Sequence, residues 1–183
     1  MLRRGVARSD DPFHCPVLGT TRKDGCNLRT VILRRLIQPD RILVCHTDAR
    51  ATKAQEIHDC TSVTWLFYHP KSRVQLRMSG QAELHGDDQF ADDQWAATKM
   101  TSRLDYSATH PPGTPTDHPS SGLPDFLLKK TPTLLSTERS RKNFMAISCR
   151  IDSMDWLMLG ALGHRRARFE WDEKKLSATW LIP

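Results

Sequence analysis

Three short stretches of this 183-residue chain carry side chains suited to holding an anion beside a polar ring. The first is Arg29-Thr30-Val31-Ile32-Leu33-Arg34. Strand residues alternate between faces, so Arg29 shares a face with Val31 and Leu33. A cation at the end of an apolar face needs a partner, because burying a lone charge is costly. An anionic ligand, a nearby carboxylate or simple exposure at the strand end would each meet that need, and this stretch alone leaves all three open. The second stretch is His46-Thr47-Asp48-Ala49-Arg50-Ala51-Thr52-Lys53. It lies where an apolar run gives way to helix-favouring residues. Free N–H groups and the dipole of a first helical turn favour an anion, and Arg50 and Lys53 add positive charge. Ordinary capping by Thr47 or Asp48 would leave the same pattern. The third stretch is Ser72 to Gly80, where Gln75 stands on the polar face of an alternating segment. Its amide has donors and an acceptor, which suits the edge of a heteroaromatic ring, although the wet face of any antiparallel sheet looks similar.

The elements that must position these residues are mostly strands. Phe13 to Leu18 is a short apolar run, and a Lys23-Asp24-Gly25 turn leads into Leu28 to Ile37, a hairpin signal. Pro39-Asp40 makes the next turn before the buried run Ile42-Leu43-Val44-Cys45, and a helix is expected within Thr47 to Cys60. Ser62 to Tyr68 alternates through Val63, Trp65 and Phe67. Arg73 to Leu84 alternates most cleanly, with Val74, Leu76, Met78, Ala82 and Leu84 on one face. Asp87 to Leu104 reads as one acid-started helix. Ser107 to Asp125 holds five of the eleven prolines and reads as a long functional loop. Strands resume at Phe144 to Arg150, near Trp156 to Leu159, at Arg166 to Trp171 and at Leu176 to Ile182. Many short strands with two helices predict a mainly β, antiparallel barrel over residues 13–183, preceded by a loose tail over residues 1–12.

Composition narrows the function classes. A hydrophobic fraction of 38% with 26% charged residues fits a folded globular chain. No window holds 18 apolar residues, so no membrane partner is expected. The five cysteines are odd in number and never spaced as CxxC, which argues against a disulfide framework or a zinc site and for a cytoplasmic address. The net charge of +6 is spread over Arg29–Arg35, Lys71–Arg77, Lys129–Lys142 and Arg165–Arg168. These positives alternate with other residues almost throughout, which favours discrete anion sites over a nucleic-acid arm. No HExxH, GxSxG, Walker-type loop or GxGxxG is present, which removes the commonest metal, hydrolase and nucleotide-fold readings.

Taken in order and spacing, the three stretches resemble the pyridoxamine 5'-phosphate oxidase family. That family has an Arg-x-Val-x-Leu-Lys/Arg strand, a strand end leading to Arg-Ser-x-Lys, and a strand with Arg-x-Gln before a glycine. The likeness is clearest over Phe13 to Leu84, weaker over Phe144 to Pro183, and closest to relatives with a Pro-Pro-Gly-x-Pro loop, here Pro111 to Pro115. It implies a six-stranded Greek-key split barrel, working as a homodimer, with FMN at the dimer interface. Residue by residue, Arg29 and Lys53 match phosphate ligands, and Arg50, Thr47 and Thr52 stand beside them. Thr30, Val31, Ile32, Leu33 and Arg34 line the flavin, His46 replaces the usual aromatic, and Gln75 and Arg168 match flavin contacts.

Other positions depart from that pattern. The oxidase's substrate lysine is Arg34 here, and its substrate-binding Arg-x-His is His164-Arg165-Arg166, so His164 and Arg166 are the candidate substrate residues. No convincing counterpart of its middle-helix tyrosine, arginine and serine occurs around Gln94 to Arg103, and its tryptophan near the flavin falls at Leu157, beside Trp156. No side chain is marked as a catalytic base. The expectation is an FMN-dependent oxidoreductase acting on a small molecule through a diverged substrate site, with a non-catalytic flavin-binding protein as the alternative.

Overall fold

Alternation of buried and exposed residues is regular enough to set the sheet. The computed structural model describes residues 1–128, 130–172 and 175–183; Lys129, counted above in a basic cluster, lies outside them. β1 (Val17–Arg22) and β2 (Gly25–Thr30) form a hairpin closed at Gly25, whose φ of 142° suits glycine and strains other residues. β3 (Arg35–Ile37) and β4 (Ile42–Asp48) form the next pair, and β5 (Ser62–His69) runs into β6 (Val74–His85). In β5 every second residue is buried, and in β6 Val74, Leu76, Met78, Gly80 and Ala82 are. The inward set packs around Trp65, Phe67 and Phe13, all fully buried; each such side chain contributes about 1.5–3 kcal/mol of burial.

The order across the sheet is β2-β1-β5-β6-β7-β4-β3, with β7 spanning Phe144–Met158. The two ends of that path, β2 and β3, are consecutive in the chain. The residues between them keep bonding to both sides: Val31 N–H donates to Pro16 O, Leu33 N–H to His14 O, and Arg34 N–H to Val44 O. The sheet therefore closes on itself through one run, residues 25–37. Nine strands are present among the described residues where the resemblance implied six. Counting β2 and β3 as one stave leaves six around the closure. The surplus is β8 (Arg165–Asp172) and β9 (Lys175–Leu181), a ribbon that extends from the far end of β7.

Helices flank this sheet. In place of a loose tail, Leu2–Ala7 form α1, whose Leu2 and Val6 pack on the core and whose Gly5 abuts Phe13. α2 (Thr52–Asp59) lies against β1 and β6. The single helix expected over Asp87–Leu104 is two: α3 (Gln89–Ala97) and α4 (Met100–Arg103). The break falls at Thr98, whose hydroxyl donates to Gln94 O. Arg103 then folds back, its guanidinium donating to Trp95 O at 2.8 Å and Thr98 O at 3.2 Å, which satisfies the open carbonyls at the end of α3. A fifth helix, α5 (Leu134–Glu138), precedes β7, and the proline-rich loop before it is pinched together by Thr109 N–H donating to Gly122 O.

The strand segments expected at 144–150 and 156–159 are one fifteen-residue strand. Its register against β6 shifts by one residue, Ser79 facing Ser153 and Gly80 facing Ile151, so Asp152 is the extra residue of a bulge. Gly80 makes this possible, since a Cβ there would sit 2.0 Å from Arg150 O. Gly80→Ala is expected to destabilise the fold by about 2 kcal/mol or more, lowering the midpoint of thermal unfolding by roughly 4–10 °C. Calorimetry checks this, and an unchanged midpoint would contradict the bulge geometry.

Candidate functional site

The closing run, residues 25–37, has a cation near each end of its irregular centre, and each cation faces a different recess. At one end Arg29 stands in line with Val31 and Leu33, both in the core. Its partner is a carboxylate: Arg29 Nη2 donates to Glu56 Oε2 on α2 at 2.9 Å, and Nη1 donates to the Thr20 hydroxyl. Glu56 is itself buried and also accepts from Thr20, at 2.6 Å, and from Asn27. Burial pushes its carboxyl up, but those three hydrogen bonds and the Arg29 charge outweigh burial and hold it below the usual carboxylate range.

Lys53, in the first turn of α2, faces the same recess without a carboxylate. Its Nζ donates to the Thr47 hydroxyl at 3.0 Å, and no ion pair to it occurs among the described residues. Burial, and then the neighbouring charge of Arg29, pull its ammonium below the ordinary lysine value. The N-cap of α2 is Ala51, which has no side chain to bond the first-turn N–H groups. Two cations with a single acid paired to one of them, a threonine hydroxyl and open backbone donors form a cradle that would favour another anion. Thr52, the first residue of α2, is exposed beside it. Arg50 is not free for that purpose. Its guanidinium bonds both oxygens of the buried Asp48, at 2.9 and 2.7 Å, and donates to Ala108 O, tying the start of the proline-rich loop to β4.

Arg34, at the other end, lines a cavity of about 480 Å³ between the outer faces of β3 and β4 and helices α1, α3 and α4. His46 and Gln94 line it too. Among the described residues, the Arg34 Nε, both ring nitrogens of His46 and the Gln94 Nε2 are buried without a hydrogen-bond partner of full geometry, although the Gln94 amide lies close enough to His46 to act on its ring. Burial, then the Arg34 charge, lower the His46 pKa to about 4 against the opposing pull of the Gln94 side chain, so this imidazole is neutral at physiological pH. Its ring packs edge-on against Phe144 with centroids 4.8 Å apart, which fixes its position. Orphaned buried polar atoms are rare in folded chains, and three side chains of them around one cavity mark a place for a polar ligand.

The remaining expected site residues divide. Thr30 is exposed, Val31 and Leu33 are core, and Ile32 is half-buried. Gln75 is half-buried, on the opposite face of β6 from Val74 and Leu76, and lies across from Tyr68 and Leu157. Arg168 is exposed on β8, and His164 and Arg166 line a shallow recess with Trp180 and Leu181. Among the described residues, no hydrogen bond, ion pair or shared cavity joins these three to the cradle or to Arg34. The Arg166 guanidinium is taken up by Asp155, at 2.7–3.1 Å, together with Arg77. The Arg166 hydrogen bond, opposed by burial and aided by Arg77, keeps Asp155 ionised well below the usual range.

Two groups of site residues were missed in the sequence. Glu56 sits with Lys53 and Ile57 at i, i+3 and i+4 of α2, so an acid on the buried helix face was detectable. Gln94, Thr98 and Ser102, which line the cavity, recur every fourth residue, in the stretch where no family match was found.

Residues 1–86 match the family model described as pyridoxamine 5'-phosphate oxidase, FMN-binding domain, a span that includes both the cradle and Arg34. A comparison with curated proteins finds no match. The fold is that of a pyridoxamine 5'-phosphate oxidase-related, FMN-binding protein from Nostoc punctiforme, with a TM-score of 0.75 and 22% identity over 100% of this chain and 93% of that one. It is also that of PhzG from Burkholderia lata, crystallised with tetrahydrophenazine-1-carboxylic acid, with a TM-score of 0.74 and 19% identity over 99% of this chain and 87% of that one. No described helix is long and apolar enough to cross a membrane.

The cradle carries a pH dependence. Because Glu56 is held below its unfolded value, its contribution is complete above the unfolded carboxyl pKa, near 4.3, and is lost as pH falls through the lower folded value. Unfolding by urea between pH 3 and 7 should show stability dropping at the acid end. Glu56→Gln should flatten that drop and narrow its gap from the native chain at low pH; parallel curves would refute the assignment.

Proposed function

We propose that the chain is an FMN-dependent oxidoreductase that works as a homodimer. The cradle carries this reading: Lys53 makes no ion pair among the described residues, beside Arg29 and at the head of a helix whose N-cap has no side-chain bond, inside the segment matched by the FMN-binding domain. In this assignment Lys53 and Arg29 hold the phosphate, with Thr47, Thr52 and the first N–H groups of α2 as further donors. Thr30 to Arg34 then leads away from the phosphate along the ring, a reach of at most roughly 17 Å from Arg29 to Arg34. Arg34, His46 and Gln75 are left to meet the ring's polar edges. The unpartnered nitrogens of Arg34 and His46 fit such a group. Bound FMN would supply the hydride or electron exchange with a small substrate. The chain's own part is to fix the phosphate, orient the ring and keep His46 neutral.

Dimerisation is supported by the β8–β9 ribbon. Trp180 is 73% exposed on β9, and with Met154, Trp156, Phe169 and Ala178 it borders an apolar recess of about 390 Å³. A patch of this kind calls for a cover. A second copy seated there would also bring Arg168, His164 and Arg166 toward a flavin from which they stand apart within one chain.

A non-catalytic flavin binder is the second reading, favoured by the capture of Arg166 by Asp155. Steady-state assays with reduced nicotinamide and with pyridoxine phosphate separate the two; bound FMN with no turnover of any donor selects the binder.

The purified chain should be yellow, and flavin fluorescence should be quenched on binding. Lys53→Ala is expected to weaken FMN about 10- to 100-fold, the loss of one charge-assisted phosphate contact. Unchanged affinity would place the phosphate elsewhere. Trp180→Glu should convert the dimer to a monomer in sedimentation experiments, and a native chain already monomeric would refute the interface.

A further inference from the structure

Three side chains that belong to neither recess form a single line of hydrogen bonds on the outer face of the sheet. The Ser148 hydroxyl on β7 lies 3.0 Å from His85 Nε2, and His85 Nδ1 lies 2.7 Å from Asp88 Oδ2. His85 ends β6 and Asp88 is the N-cap of α3, so the three come from separate places in the chain and leave no spacing motif. An ionised carboxylate only accepts. In the neutral imidazole Nδ1 therefore carries the proton, and Nε2 accepts from the Ser148 hydroxyl. Serine to imidazole to carboxylate is the order that makes a hydroxyl nucleophilic at neutral pH, on any fold that supplies the distances.

The members are held in place. Asp88 Oδ1 accepts from Ala91 N–H at 2.8 Å while Oδ2 faces the ring. That backbone bond, opposed by burial and aided by His85, keeps the Asp88 carboxyl below the ordinary aspartate value. Phe90 packs on the imidazole with ring centroids 4.4 Å apart. Glu83 Oε2 stands 3.8 Å from Nε2, where it favours the imidazolium that forms when Nε2 takes a proton. In the register Ser148 lies between Val44 and Glu83. Arg35, paired across Val44, and Arg150, two residues and about 7 Å along β7, share that face. Both are exposed and make no ion pair among the described residues. A guanidinium beside the hydroxyl offsets the negative charge that develops on a carbonyl oxygen under attack.

We infer that Ser148 is a nucleophile that hydrolyses small esters of acetyl size, in a reaction independent of the flavin reading. His85 Nε2 takes the hydroxyl proton as Ser148 Oγ bonds to the carbonyl carbon. The bond to the leaving alcohol breaks, and Nε2 gives it the proton. Water, deprotonated by the same nitrogen, then attacks the acetyl-serine, frees acetate and restores the hydroxyl, so one ester and one water yield one acid and one alcohol. Ser148 and His85 are the catalytic residues, and Asp88 is a positioning residue. The size limit follows from Ser148, only 8% of which is open to solvent.

The test uses the full-length protein and p-nitrophenyl acetate, followed by nitrophenolate release and by peptide mass spectrometry of the acid-quenched chain. A burst stoichiometric with protein is expected, with the acetyl group on Ser148. Ser148→Ala should abolish the burst, and His85→Gln should slow it at least about a hundredfold while the circular dichroism stays native. Asp88→Asn keeps a good N-cap on α3 and should still slow the reaction at least about tenfold, whereas a residue that only caps the helix would leave the rate unchanged. p-Nitrophenyl hexanoate should react at least about tenfold more slowly than the acetate. Acetyl groups confined to lysines, cysteines or the N-terminus, an undiminished burst in Ser148→Ala, or hexanoate cleaved as fast as acetate overturns the inference.

Discussion

Closure of the sheet by a single run of chain is the constraint from which the rest follows. Residues 25–37 serve as the first edge of the sheet and, a few residues later, as its last. A strand cannot pair fully with β1 and β4 along its whole length while crossing from one to the other. Its middle, Val31 to Arg34, therefore gives up regular pairing and keeps single backbone bonds to Pro16, His14 and Val44. Side chains on such a crossing see both ends of the barrel. Arg29 thereby meets α2 at one end, while Arg34 meets β4, α1 and α3 at the other. Loss of a continuous ladder here is what creates room for ligands along the run.

Charge compensation separates the two recesses. At the cradle Glu56 already offsets Arg29, and its carboxylate oxygens are taken up by Thr20, Asn27 and Arg29. The excess positive charge there is that of Lys53. At the cavity the excess is that of Arg34, with a neutral imidazole and an amide beside it. A half-buried cation in surroundings of low polarity favours a counter-ion more strongly than any surface lysine does, which is why the many other positives of this chain carry no comparable argument.

The outer layer is shaped by a helix that stops early. With Arg103 folded over the Trp95 ring at 4.4 Å and bonded to the last carbonyls of α3, the chain turns at Thr98 and packs Trp95, Tyr106 and Phe144 together. That aromatic cluster braces His46 from behind. An uninterrupted helix through Leu104 would have carried Lys99 and Ser102 away along a straight axis, and the cavity would have lost that wall.

Much of this was written in local order. The inward faces of β5 and β6 follow from strict alternation, the hairpin from Lys23-Asp24-Gly25, and the need of Arg29 for a partner from its place beside Val31 and Leu33. The three ordered stretches were enough to point to the family whose FMN-binding domain matches residues 1–86. What neighbouring residues could not express was which distant group would answer a local need. Glu56, 27 residues away in the chain, bonds Arg29 because α2 packs across β1. The loose tail became a helix because Leu2 and Val6 found the core. Gln94, 48 residues from His46 in the chain, lines the same cavity because Trp95 and Phe144 pull α3 onto β7. Periodicity is a property of adjacent residues and survives in a bare sequence; the pairing of charges and orphaned donors is decided by burial, which only the folded chain arranges.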